Sequence, residues 1–85
     1  MIFEISDHAK SELQRRGISQ TLLESVLAAP EQKAPEHGGI VCYQSRVTIN
    51  ARPYLLRAMV AEEKQPPVVV TVYRTSKVSK YWRQP

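Results

Sequence analysis

The sequence predicts an α+β domain: two N-terminal helices packed on one face of a small antiparallel sheet of three to four strands. Three observations lead there. Apolar residues recur at helical spacing in the first thirty residues, and at strand spacing, in β-branched and aromatic runs, after residue 39. Helical segments followed by strand segments, rather than alternating with them, favour a layer of helices over a meander. The chain has 85 residues, enough for one domain with a single modest core.

Each element follows from its residues. Ile2 to Ile5 alternates apolar and polar, the pattern of a short opening strand. Ser6 and Asp7 then supply N-cap chemistry, with Asp7 favourably placed against the helix dipole. Ala9 and Leu13 are four apart, so a helix over residues 7–16 is expected. Arg15 and Arg16 fall in its last turn and Gly17 is its stop. Ser19 caps a second helix whose stripe is Leu22, Leu23, Val26 and Leu27, and Pro30 closes it. Residues 31–39 are polar and contain Pro35, Gly38 and Gly39, so they read as a loop.

The β-type runs are residues 40–43, extended by 46–49, then 54–61 and 68–75. Residues 50–53 read as a turn, and 62–67 as the polar loop of a hairpin. Val68-Val69-Val70 suggests a central strand buried on both sides. The longest apolar run is too short to cross a bilayer, and no secretory leader pattern is visible, so a cytoplasmic protein without membrane contact is expected. The lone Cys42 and two distant histidines, His8 and His37, suggest neither a disulfide nor a metal site, and no cofactor is expected.

The net charge is +4, and its placement is informative. Residues 1–73 hold eight Lys or Arg and eight Asp or Glu. Residues 74–85 hold Arg74, Lys77, Lys80 and Arg83 with no acid, interleaved with Tyr81 and Trp82. Such a field attracts phosphates or an acidic protein. A solvated tail is the bland alternative. Cations mixed with rings suit single-stranded RNA, with Tyr73, Lys80, Tyr81 and Arg83 as binding candidates. Packing against the sheet is the favoured role for Trp82.

Arg57 stands inside an apolar run. Two readings hold: a stem that packs while its head emerges, paired with Glu4 or Glu12, or a phosphate ligand or transition-state cation. Alternation puts Thr71, Tyr73 and Thr75 on one face of the last strand, and Val70, Val72 and Arg74 on the other. The hydroxyl row is either a phosphate cradle or a solvated sheet face. His8, in the first turn of the first helix, is either an acid–base group or simply exposed. His37 is a weaker candidate.

Ser6-Asp7-His8-Ala9, Arg16-Gly17-Ile18-Ser19, the stretch from Thr71 to Lys77, and Lys80-Tyr81-Trp82 together resemble a bacterial family, domain of unknown function 4258. That resemblance implies the fold of RelE-type and colicin-type ribonuclease toxins, and metal-independent cleavage of RNA by its own 2′-hydroxyl. By position it implies His8 as acid or base, with Arg74, Thr75 and Lys77 holding the scissile phosphate. Arg57 joins them from the strand pattern alone. The implied partners are RNA, free or on the ribosome, and a protein antitoxin. Where that family often has an arginine four residues after the histidine, this chain has Glu12, which either acts as a base or pairs with Arg16. Two further readings stand beside the toxin: a non-catalytic RNA-binding or ribosome-associated module, and a protein–protein adaptor using residues 40–43 or 77–82 as an uncovered sheet edge.

Overall fold

The computed structural model describes residues 2–84; Met1 and Pro85, which end the predicted domain and its basic tail, lie outside the described residues. A two-residue strand β1 (Glu4–Ile5) leads into α1 (Asp7–Arg15) and α2 (Gln20–Ala28). The Ser6 hydroxyl accepts the Ala9 N–H at 3.0 Å, and the Ser19 hydroxyl accepts that of Leu22 at 3.1 Å, so both helices start where side-chain oxygens meet their free amides. Gly17, at φ 63°, lets the Ile18 N–H return to the Leu13 carbonyl at 2.9 Å, which ends α1 and sets Ile18 beside Leu13 in the core.

Four strands follow: β2 (Gln32–Pro35), β3 (Ile40–Ile49), β4 (Arg52–Ala61) and β5 (Val68–Thr75), and then the short helix α3 (Val78–Tyr81). The sheet order is β1-β5-β4-β3-β2, antiparallel from β5 to β2, with β1 parallel to β5. Five strands in a mixed sheet replace the three or four antiparallel ones expected.

The two edge strands make the difference: β1 lies where the opening strand was expected but runs parallel to β5, and β2 was not expected. β2 falls in the segment read as a loop, because an edge strand needs only one inward residue, here the buried Ala34, and tolerates Pro35 at its end. β1 is held by two backbone bonds, Glu4 N–H to the Pro67 carbonyl at 2.9 Å and Ser6 N–H to that of Val69 at 3.1 Å. The turn between β3 and β4 is shorter than expected. Asn50 and Ala51 alone make it, both left-handed at φ 51° and 65°, and Arg52 and Pro53 already pair with Ile49 and Thr48. Residues 40–43 are internal, flanked by β2 and β4, and residues 78–81 are helical, so neither forms the edge strand that an adaptor would use.

The helix pair covers one face. Ala9, Leu13, Ile18, Leu23, Val26 and Leu27 meet Tyr43, Leu56, Ala58, Val60, Val69 and Val72. β4, not β5, is the central strand, and Val68 and Val70 are only half-buried. The reason is a bulge: Met59 pairs with Thr71 but Val60 with Val69, which leaves Val70 unpaired and brings Val69 onto the face of Val72. The freed Val70 carbonyl accepts the Ser6 hydroxyl at 3.1 Å, tying the α1 cap to the sheet. No helix among the described residues is long and apolar enough to cross a membrane.

Candidate nucleic-acid interface

The face turned away from α1 and α2 carries the polar chemistry. In β3 the alternation Cys42, Gln44, Arg46 lies opposite Tyr43 and Ser45; in β4, Arg57 pairs with Gln44 on one side and Tyr73 on the other. Arg57 is 7% exposed. Its Nε donates to the Gln44 Oε1 at 2.9 Å, its Nη1 donates to the Tyr73 hydroxyl, and its Nη2 lies 3.8 Å from the Glu36 carboxylate. Its Cζ is 4.4 Å from the centre of the Tyr81 ring. Burial works against this charge, but the bond to Tyr73 and the nearby Glu36 outweigh it, and the guanidinium is held protonated above its ordinary range. The partners are thus not Glu4 or Glu12. The head neither emerges into solvent nor stands alone.

The segment after β5 folds back over this face. Lys77 donates its N–H to the Thr75 Oγ1 at 3.1 Å, and α3 then carries Tyr81 edge-on to Tyr73, ring centres 6.4 Å apart. The Gln44 Nε2 donates to the Tyr81 carbonyl at 3.2 Å and to the Gln32 Oε1 at 2.8 Å. Gln32 donates to the Arg83 carbonyl at 2.7 Å and accepts its N–H at 3.1 Å. Trp82 is half-buried and packs under the Arg46 guanidinium, 4.2 Å from its ring centre, while Arg46 also holds Glu31 through Nη2 at 2.9 Å. The basic end is therefore a seated segment, not a solvated tail.

The structure gathers Arg57, Tyr73, Thr75 and Tyr81 on this face and leaves Lys77, Lys80 and Arg83 exposed at its border. It does not gather the rest. Arg74 pairs with Leu56 on the opposite, helix-covered face, over the Tyr54 ring at 4.7 Å. His8 is exposed on α1, across the sheet from Arg57. His37 is exposed in the turn before β3. The buried Gln44, the half-buried Gln32 on the edge strand β2, and the loop residue Glu36 are not among the residues that the sequence singles out. A period-2 polar face through Cys42, Gln44 and Arg46 signals Gln44; nothing local signals Glu36, which reaches Arg57 only through the sheet.

Two other features add no chemistry to this face: Cys42, which lies on it with its thiol 3.9 Å from the Gln44 Oε1, and a cleft elsewhere. Burial pushes the Cys42 thiol above its usual range, so it is a poor nucleophile. A cleft of about 550 Å³ lies near β1 and α2, lined by Ile5, Leu27, Pro30 and Lys33. Its amine is already bound by Glu62 at 2.8 Å, and it holds none of the residues expected from sequence. Among the described residues no three His, Cys, Asp or Glu side chains gather as metal ligands do.

Glu12 is buried and clamped by Arg15 at 2.7 Å and Arg16 at 3.1 Å, so of its two readings the pairing one is seen. The bond from Arg15, opposed by burial and aided by Arg16, lowers its pKa from 4.5 to about 2. A depressed carboxylate adds stability that is fully present above pH 4.5 and is lost as the pH falls toward about 2. The melting-temperature gap between the parent and Glu12→Gln is therefore expected to be constant near neutrality and to close across that acid window. A gap that is unchanged down to pH 2.5 would contradict this.

Residues 5–74 match the profile of the family described as Domain of unknown function (DUF4258), and the chain belongs to that family. No curated protein and no solved structure matches the chain.

Proposed function

For this member of the DUF4258 family we propose an RNA-cleaving domain of the ribonuclease-toxin kind, with a RelE-type fold, whose phosphate anchor is Arg57. The observation that carries the reading is a guanidinium fixed inside a sheet face by Gln44 and Tyr73, with Nη2 3.8 Å from a carboxylate, beyond hydrogen-bond reach. A cation so placed is preorganised to meet charge that develops in a transition state. Helices first, an antiparallel meander next and a short C-terminal helix on the far face support the fold assignment.

In the proposed reaction, Glu36 takes the proton of the ribose 2′-hydroxyl. The O2′–P bond forms, the P–O5′ bond breaks, and the Tyr73 hydroxyl gives a proton to the departing O5′. Arg57 stabilises the non-bridging oxygens. The products are a 2′,3′-cyclic phosphate and a 5′-hydroxyl. Lys77, Lys80 and Arg83, at the border, would hold neighbouring phosphates. A protein antitoxin with an acidic segment would silence the domain by covering this border.

The test is end-labelled single-stranded RNA incubated with the purified chain. Cleavage is expected, with a cyclic phosphate on the upstream fragment, and a 2′-deoxy sugar at the cut position is expected to abolish it. RNA that stays intact at protein concentrations far above its own would sink the proposal.

A second reading, binding without chemistry, is favoured by one observation: two of the guanidinium's three nitrogens already have partners, and a ring covers its face. That reading expects affinity that falls steeply with salt and no strand scission.

A further inference from the structure

We infer that residues 78–83 are a strap closed over the Arg57 site, which must lift before a phosphate can enter; this rests on the reading of Arg57 as the phosphate anchor. The Tyr81 ring stands 4.4 Å from the guanidinium carbon, and the arginine is left only 7% exposed. An RNA phosphodiester cannot reach a guanidinium so covered.

The contacts that seat the strap are of a different kind from those that hold the sheet. Two are the paired bonds between the Gln32 amide and the Arg83 backbone, at 2.7 and 3.1 Å. One is the Gln44 bond to the Tyr81 carbonyl at 3.2 Å, one is the Arg46–Trp82 stack, and the Tyr81 ring rests on Tyr73 and on the Arg57 guanidinium. No residue of α3 is fully buried, and Trp82 and Arg83 keep solvent contact. The Gln32 bonds, at a wet edge, exchange with water at little net cost, whereas β4 beneath them is fixed by ladders on both sides and by Leu55 and Leu56. The strap is the part of this face that opens first.

Gln44 couples the two states. Its Oε1 holds the Arg57 Nε while its Nε2 holds the strap, so lifting the strap frees a donor beside the guanidinium without loosening Arg57 itself. An entering phosphate oxygen would replace the Tyr81 carbonyl as the acceptor of that N–H.

The experiment measures Arg57 access directly. The full chain is treated with phenylglyoxal, and the modification rate at each arginine is read by peptide mass spectrometry, with exposed Arg52 as the internal reference. Gln32→Ala and Trp82→Ala remove independent contacts of the strap. Each is expected to raise the Arg57 rate about tenfold with Arg52 unchanged, and to tighten binding of a single-stranded RNA oligonucleotide. Circular dichroism melts establish that both variants are folded. Arg57 rates equal to the parent's in both folded variants would overturn the strap. Faster modification with weaker RNA binding would also overturn it, since Tyr81 would then be platform and not cover. Faster modification with no RNA binding by parent or variants would leave the closure standing and defeat the RNA reading instead.

Discussion

Arg57→Met is expected to lower RNA cleavage by about two to three orders of magnitude, the usual loss when one preorganised charge donor is removed from a phosphoryl or acyl transfer site. The loss comes from transition-state stabilisation, so it falls on kcat and not on KM alone. Methionine keeps the apolar stem of the side chain but leaves the Gln44 Oε1 and the Tyr73 hydroxyl without their donor. A buried acceptor left in that state costs roughly 1–3 kcal/mol, so a stability loss of about 2 kcal/mol is expected as well. Arg57→Lys separates the two effects. It keeps the charge but not the fork, and recovers stability poorly, because one ammonium on a flexible stem does not reproduce both bonds in their fixed geometry. Single-turnover assays on labelled RNA, with urea melts of the same preparations, check both. Full cleavage by a folded Arg57→Met chain would remove Arg57 from the site.

Leu56→Ala is expected to give the largest loss of stability. Leu56 is fully buried at the centre of β4, in the cluster that joins the sheet to α1 and α2. Truncating such a leucine removes transfer energy and leaves a cavity, together about 3–4 kcal/mol. In a domain of this size that corresponds to a fall in melting temperature of roughly 15–20 °C. The urea midpoint should move with its slope unchanged, since the same surface is exposed on unfolding. A shift below 5 °C would mean that the helix layer is not seated as described.

How much was legible in the sequence follows the strength of local signals. Both helices, their serine caps and the Gly17 stop were readable, since each rests on chemistry within four residues. The β3–β4–β5 meander was readable as well, since β-branched and aromatic residues mark it. β2 was not, and neither was the parallel pairing of β1. An edge strand buries one residue or none, so its pattern falls below that of the loops around it. Arg57 could be singled out as anomalous, but its partners could not. Gln44 and Tyr73 reach it through strand register, and the Val70 bulge, invisible in composition, shifts that register at one point. Arg57 and Arg74 are parted for the same reason, since Arg74 pairs with Leu56 and so faces the helices, while His8 is parted from Arg57 because α1 lies on that opposite face.

The bond from Ser6 to the Val70 carbonyl spans 64 positions of the chain. On a ribosome the N-terminal strand and the cap of the first helix therefore emerge long before their partner exists. Until β5 has left the exit tunnel, the apolar stripe of α1 lacks the strand it packs on most. Closing so long a loop makes the joining of the two chain ends a late event in folding. Nascent chains stalled before residue 70 should be protease-sensitive through both helices, and those released after it should not.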